Sequence, residues 1–226
     1  MVFKSFVELL YPRLCLVCGD RLIDQEELVC LSCLHHIPRT RFHLEEDNPV
    51  AQLFYGRVHL EHATAFFYFR KGSRYQKILH HLKYKGLKEL GELMGRQLGL
   101  DLLQSPHFSK VDAICPVPLH PKKEQKRGYN QSWWIAKGLA EQIQKPMADN
   151  HLERIAFSST QTRKSRFERW ENVEGIFKVK NPEELSGKHI LLVDDVVTTG
   201  STLEACASAM LSDDTVKVSI ATLGVA

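Results

Sequence analysis

The sequence predicts an α/β fold: a mostly parallel sheet flanked by helices, with a small cysteine-rich module at the N-terminus. Three observations carry this. Apolar runs of strand length alternate with amphipathic helical stretches, the pattern of strand–helix–strand units. One run, Ile190–Val193 within His189–Val197, is apolar without interruption, as a strand buried on both faces of a parallel sheet must be. Four of the six cysteines fall within the first 33 residues, in two Cys-x-x-Cys pairs.

Taken in order, residues 3–11 set Phe3, Phe6, Val7 and Leu10 at helical spacing, predicting a short amphipathic helix before the cysteines. Residues 40–62, with Glu45, Glu46, Asp47, Asn48 and Pro49, have the low hydrophobicity of a linker. The expected organisation is a module over 1–45, a linker over 46–62 and an α/β body over 63–226. In the body, Ala65–Arg70 reads as a strand. Tyr75 to about Leu103 reads as a helix interrupted near Gly86. Val111–Pro118 is a strand, and Asn130–Gln144 a helix capped by Asn130. Gly175–Lys180 is a short strand and His189–Val197 a buried one. Thr202 to about Met210 is a helix, and Val216–Val225 the last strand. At least one of the adjacent Trp133 and Trp134 is expected in the core, because neighbours on a helix point in different directions.

Composition narrows the class. At 43% hydrophobic and 25% charged residues the chain has ordinary globular make-up, which excludes a disordered tail or a collagen-like fibre. A formal net charge of +3 indicates no polyanionic partner by itself. No apolar run reaches the roughly 18 residues of a transmembrane helix. Lys4 and Glu8 interrupt the N-terminal apolar run, so it does not read as a signal peptide. A cytoplasmic protein in a reducing compartment is expected, and there clustered cysteines are metal ligands more often than disulfides.

Cys15, Cys18, Cys30 and Cys33 follow the spacing C-x2-C-x11-C-x2-C. Each hairpin turns two sulfurs toward one point, and Gly19 permits the first turn. Two hairpins complete a tetrahedral four-sulfur set, the closed geometry of structural zinc, one ion per chain. Two disulfides, an iron–sulfur cluster or redox thiols are the alternatives. Cys115 and Cys206 lie in apolar contexts and read as core thiols.

The stretch His189–Leu203, HILLVDDVVTTGSTL, is the most informative. A buried strand delivers Asp194 and Asp195 to its C-terminal end, where open α/β sheets bind ligands. Thr198, Thr199, Gly200, Ser201 and Thr202 then lead into a helix. Small hydroxyl residues and a glycine let backbone N–H groups approach an anion, and the helix N-terminus adds positive dipole. An anion cradle beside two carboxylates suits a ribose 5-phosphate.

This pattern resembles the phosphoribosyl-pyrophosphate (PRPP) motif of type I phosphoribosyltransferases. Nearly the whole chain is similar to one branch of that superfamily, the ComF proteins. The likeness includes Tyr11-Pro12 before the cysteines, Leu82–Gly86 (LKYKG), Pro116–His120 (PVPLH), Arg127-Gly-Tyr-Asn-Gln and the basic stretch ending at Arg169. It implies a type I phosphoribosyltransferase-like sheet with an N-terminal zinc module. Asp194 and Asp195 would hold the ribose hydroxyls, and Thr198–Thr202 the 5′-phosphate. Pro118, Leu119 and His120 belong to the segment resembling the pyrophosphate loop, with Lys83 and Arg127 facing the diphosphate. Arg166 and Arg169 lie in the stretch Ser158–Arg169, which resembles the mobile catalytic loop. Mg²⁺ would accompany PRPP.

The same resemblance implies a part in natural competence, the uptake of transforming DNA. Single-stranded DNA, a competence helicase and other DNA-uptake proteins at the inner face of the membrane are the implied partners. Two alternatives stay open: a metabolic phosphoribosyltransferase acting on an unidentified base, and a PRPP sensor without chemistry.

Three basic clusters carry 15 of the 30 Lys and Arg: seven in residues 70–88, four in 120–130 and four in 163–170. The second and third accompany the implied diphosphate site. In the first, Lys and Arg interleave with Tyr75 and Tyr84, a pattern that can track a nucleic-acid backbone while aromatics stack on bases. The alternative is a solvated helix face. The first 45 residues are slightly acidic, with five Lys and Arg against six Asp and Glu, which weakens the cysteine module as a DNA-binding element on its own.

Overall fold

The computed structural model of the protein describes residues 12–155 and 176–226. Its strands are β1 (Ala63–Tyr68), β2 (Ala113–Pro116), β3 (Leu152–Arg154), β4 (Phe177–Val179), β5 (His189–Val197) and β6 (Lys217–Val225). Its helices are α1 (Leu31–His35), α2 (Pro49–Gln52), α3 (Gln76–Tyr84), α4 (Lys88–Leu102), α5 (Pro121–Arg127), α6 (Gln131–Ile143) and α7 (Ser201–Met210). The expected helix over residues 3–11, Tyr11 and Gly175 lie outside the described residues.

Four strands form one parallel sheet in the order β1-β6-β5-β2. Ile190–Val193 is completely buried at its centre, as the uninterrupted apolar run requires. The expected strand near 175–180 is β4. It pairs antiparallel with β3 in a separate two-stranded sheet, so it adds nothing to the main one.

One sheet face is covered by α3, α4 and α6, whose Leu82, Leu90, Met94, Leu98, Ile135 and Leu139 pack with Leu191 and Val193. The long helical stretch divides where expected: Gly86 takes φ +70, in the left-handed region that favours glycine. Asn130 caps α6 by accepting from the Ser132 N–H at 3.1 Å. The α4–α6 contact is unusually close. A Cβ on Gly95 would lie 2.1 Å from the Ile135 carbonyl oxygen, and one on Gly138 2.0 Å from that of Glu92. Neither tryptophan is fully buried. Both are half-buried, Trp134 with its Cβ beside Gly91 of α4 and Trp133 with its indole N–H donating to Asp149.

The other face packs on α7 and on the segment expected to be a linker. That expectation fails. Residues 46–62 include α2, and Val50, Ala51 and Phe54 join a core with Ala65, Cys115, Leu192, Leu203 and Cys206. Asn48 is the reason. Its side chain is buried, accepts from the Val50 and Ala51 N–H groups, and donates to the Glu45 and Ala63 carbonyls at 2.9 Å each. A polar sequence folds here because the buried Asn48 amide is partnered through both its oxygen and its nitrogen.

The cysteine module packs directly on the body. Val17, Leu22, Val29 and Ile37 belong to the same core as Phe67 and Ile78. Tyr75, read from the sequence as a possible stacking surface, is instead buried, and its hydroxyl donates to the Cys33 carbonyl at 3.2 Å. Pro38–Thr40 lie along the outer edge of β1: the Tyr68 N–H donates to the Pro38 carbonyl, and the Thr40 N–H to the Phe66 carbonyl.

Candidate functional site

All strands of the main sheet run the same way, so their C-terminal ends gather on one side. β5 delivers Asp194 and Asp195 there. Successive strand residues point to opposite faces, which gives the two acids different surroundings. Asp194 Oδ1 accepts from the Ser132 hydroxyl at 2.6 Å and from the Asp195 N–H at 2.8 Å. Ser132 is held in place by Asn130, whose Nδ2 donates to the Val117 carbonyl at 2.9 Å just past β2. Asp195 points toward α3, where Lys83 Nζ lies 3.0 Å from Oδ2.

Burial, and then the neighbouring charge of Asp195, push the Asp194 carboxyl up to about 7. Between the unfolded value near 3.8 and about 7, the folded chain therefore holds a proton that the unfolded chain has lost. Stability from this group is fully present below pH 4 and is lost as pH rises to 7. The melting temperature of Asp194→Asn should accordingly fall less between pH 5 and 7 than that of wild type. Parallel pH profiles by calorimetry check this, and equal slopes would refute it.

Beyond Val197 the chain turns through Thr198, Thr199 and Gly200 into α7. Gly200 is required twice over: φ is +76, and a Cβ would lie 2.9 Å from the Phe54 ring. Thr198, Thr199, Ser201 and Thr202 are exposed, and no side chain caps the helix N-terminus. The backbone N–H groups of the first turn are thus open to an anion.

Sequence reading missed the brace behind this loop. Arg57 Nη1 donates to the carbonyls of Thr199 and Leu53, at 2.9 Å each, and the guanidinium pairs with Glu204 on α7. Arg57 lies 142 residues before Thr199, so no local pattern could announce it. Ser132 and Phe54 were missed for the same reason.

Pro118, Leu119 and His120 follow β2 on the same side of the sheet, and His120 caps α5 by accepting from the Lys122 N–H at 3.2 Å. Arg127 Nη1 donates to Gln131 Oε1 at 2.7 Å, and its guanidinium lies 6.0 Å from the centre of the Tyr84 ring. The acids, the loop before α7, the segment after β2 and Lys83 therefore come together. Arg166 and Arg169, with the rest of their basic stretch, lie outside the described residues.

A second cluster is the cysteine set. The Sγ atoms of Cys15, Cys18, Cys30 and Cys33 lie within 4.8 Å of one another, so they could hold a metal ion. Gly19 makes the first turn with φ +86. The Cys30 N–H points at Cys15 Sγ, 3.3 Å away, and the Cys33 N–H at Cys30 Sγ, 3.4 Å away. Burial opposes the Cys15 thiolate, but backbone N–H groups outweigh it and bring the thiol down to about 6. Cys33 is pushed up by burial and by the adjacent sulfurs. Four sulfurs this close cannot all ionise without a cation among them, which fits a divalent metal. Cys115 and Cys206 are buried core thiols, as expected.

Residues 132–224 match the phosphoribosyl transferase domain family, from the serine that holds Asp194 through β6. Competence protein F of Haemophilus influenzae is 36% identical over 130 residues, 56% of this chain and 57% of that protein. Competence protein ComFC of Bacillus subtilis is 34% identical over 112 residues, 47% of this chain and 43% of that protein. The chain is similar to both over about half of its length. The DNA utilization protein YhgH of Escherichia coli K12 is 29% identical over 146 residues. That match spans 63% of each chain, so the chain covers less than two thirds of this relative's length. Among the described residues no helix is long and apolar enough to cross a membrane.

Proposed function

We propose that this chain is a ComF-type protein that binds PRPP and serves the uptake of transforming single-stranded DNA in the cytoplasm. One observation carries the PRPP reading: two carboxylates stand beside an uncapped helix N-terminus at the C-terminal end of the sheet. In this reading Asp194 and Asp195 accept hydrogen bonds from the ribose hydroxyls. The Thr198–Thr202 amides and hydroxyls hold the 5′-phosphate, while Arg57 and Phe54 fix the loop. Lys83 lies against Asp195, and in this reading it turns from that carboxylate toward the diphosphate when the sugar arrives. Pro118–His120 and Arg127 line the diphosphate side. Mg²⁺ bound with PRPP supplies charge neutralisation of the diphosphate, which hard oxygen ligands suit.

Titration calorimetry with Mg²⁺–PRPP tests this. Asp195→Asn should weaken binding by about tenfold to a hundredfold, because hydrogen bonds to a charged acceptor are lost. Unchanged affinity in a folded variant would remove the ribose assignment.

The four cysteines hold one zinc ion in this reading, in a closed structural set with no position open for catalysis. The DNA reading is supported by the names of the relatives and by a surface near α3. There Arg70, Lys71, Arg74, Lys85 and Tyr84 are exposed. Lys83 and Lys88 are otherwise engaged: Lys83 with Asp195, Lys88 over the Tyr129 and Trp134 rings. Binding of single-stranded DNA should weaken steeply with salt and be lost when these four basic residues become alanine. In Asp195→Asn it should persist. Salt-independent binding, or binding unaffected by the four alanines, would count against this surface.

A further inference from the structure

A cavity of about 430 Å³ lies between the end of the cysteine module and the last turn of α4. His35, Arg39, Arg41 and His43 line it from the module side, and Asp101 and Gln104 from the body. None of them belongs to the site at the C-terminal end of the sheet. Asp101 is the one acid among the lining residues, and it is only 4% exposed.

Donors and acceptors are unequal here. Arg39 Nη1 donates to Asp101 Oδ1. A guanidinium carries five N–H groups, so most of its donors remain. Arg41 is exposed and has no ion-pair partner among the described residues. Its backbone takes φ +62, a left-handed conformation uncommon outside glycine. On the accepting side, Asp101 Oδ2 is buried and has no hydrogen-bond partner. His43 Nδ1 lies 4.0 Å from it, too far for a hydrogen bond. A buried acceptor in this state is destabilising, and a ligand that donates to it removes the penalty. The occupant must therefore be an anion, to meet two guanidinium groups, and must also bring a proton.

We propose that this cavity binds a terminal phosphate, as a monoester or as inorganic phosphate, and rejects sulfate and phosphodiesters. The second ionisation of a phosphate monoester lies at about pH 6, so it holds or shares a proton close to neutrality. Sulfate and the diesters of a nucleic-acid backbone have none to give there. In the complex that proton lies between a phosphate oxygen and Asp101 Oδ2, while Arg39 and Arg41 take the remaining oxygens. Burial already holds the Asp101 carboxyl above its ordinary value, which favours a shared proton. The bound phosphate also ties the module to the body, because its partners come from both. The site shares no residue with the PRPP reading and does not depend on it.

The test uses the full chain carrying Ser201→Asp, which sets a carboxylate in the loop before α7 and keeps phosphate from binding there. Methyl phosphate, inorganic phosphate, sulfate and dimethyl phosphate are titrated by calorimetry at neutral pH. The first two are expected to bind roughly tenfold tighter than the last two, the effect of one hydrogen bond to a charged acceptor. Arg41→Gln, at an exposed position without risk to folding, should weaken methyl phosphate by roughly tenfold. A folded Asp101→Asn should bring sulfate level with phosphate, because an amide can donate where the carboxylate only accepts. A merely structural role would not move that ratio. PRPP is titrated alongside, so a failure of the PRPP site is distinguishable from a failure here. Two sources share this chemistry, a free small phosphate and the phosphorylated end of a DNA strand. A 5′-phosphate that strengthens oligonucleotide binding in wild type but not in Arg41→Gln identifies the strand end, and no such gain identifies the free phosphate. No phosphate binding in Ser201→Asp, equal binding of sulfate, or an unchanged preference in Asp101→Asn would overturn the proposal.

Discussion

Replacing Cys15 by serine is expected to release one zinc ion per chain and to lower the melting temperature by roughly 10 °C, the shift that about 3–5 kcal/mol produces in a chain of this size. Cys15 and Cys33 are almost fully buried, and the four sulfurs lie within 4.8 Å of one another. Without the cation the module loses the one charge that lets several thiolates coexist, and metal binding in such modules is itself folding free energy. The loss spreads further because Val17, Val29 and Ile37 share a core with the body. Cys115→Ala is the control: it removes a buried sulfur outside the set and should keep the metal. Elemental analysis and calorimetry on both variants decide the matter. A wild-type chain purified without zinc would end the zinc reading.

Gly138→Ala should destabilise the fold by about 3–5 kcal/mol, read from urea unfolding. The added methyl would sit 2.0 Å from the Glu92 carbonyl oxygen and 2.7 Å from its carbon. Those are backbone atoms in α4, so the strain is relieved only by moving one helix away from the other. Alanine's better helix propensity returns at most about 1 kcal/mol. Gly91→Ala is the comparison. There the closest contact is 3.0 Å, to the Trp134 Cβ, and the net change should stay near 1 kcal/mol. A Gly138→Ala cost as small as that of Gly91→Ala would show that the helices are not held at this separation. The same displacement would draw Ser132 away from Asp194, so the variant should also bind PRPP less well.

The parts of the site that could be read from the sequence are those that lie together along it. His189–Leu203 holds a buried strand, both acids, the turn and the start of a helix in one stretch, and each has a local signature. The cysteine spacing is local too. Arg57 and Phe54 are different: they reach the same loop from far away in the chain, and a lone arginine in an acidic, polar segment carries no period. Residues 46–62 read as a linker because low hydrophobicity was the only signal, whereas Asn48 organises that segment through hydrogen bonds to several backbone groups. β3 and β4 have three residues each, too few to show alternation. Tyr75 looked like part of a basic, aromatic surface because helical spacing does not reveal that a separate module covers that end of α3.

Residues 38–40 have a consequence for how the chain could be shortened. They pair with Phe66–Tyr68 along the outer side of β1. A chain begun at residue 46 would keep every strand of the sheet but leave β1 with a row of unsatisfied amides and carbonyls facing water. Such a row is a template for pairing with another molecule. The α/β part on its own is therefore expected to self-associate, because it lacks the cysteine module's chain end that covers this edge.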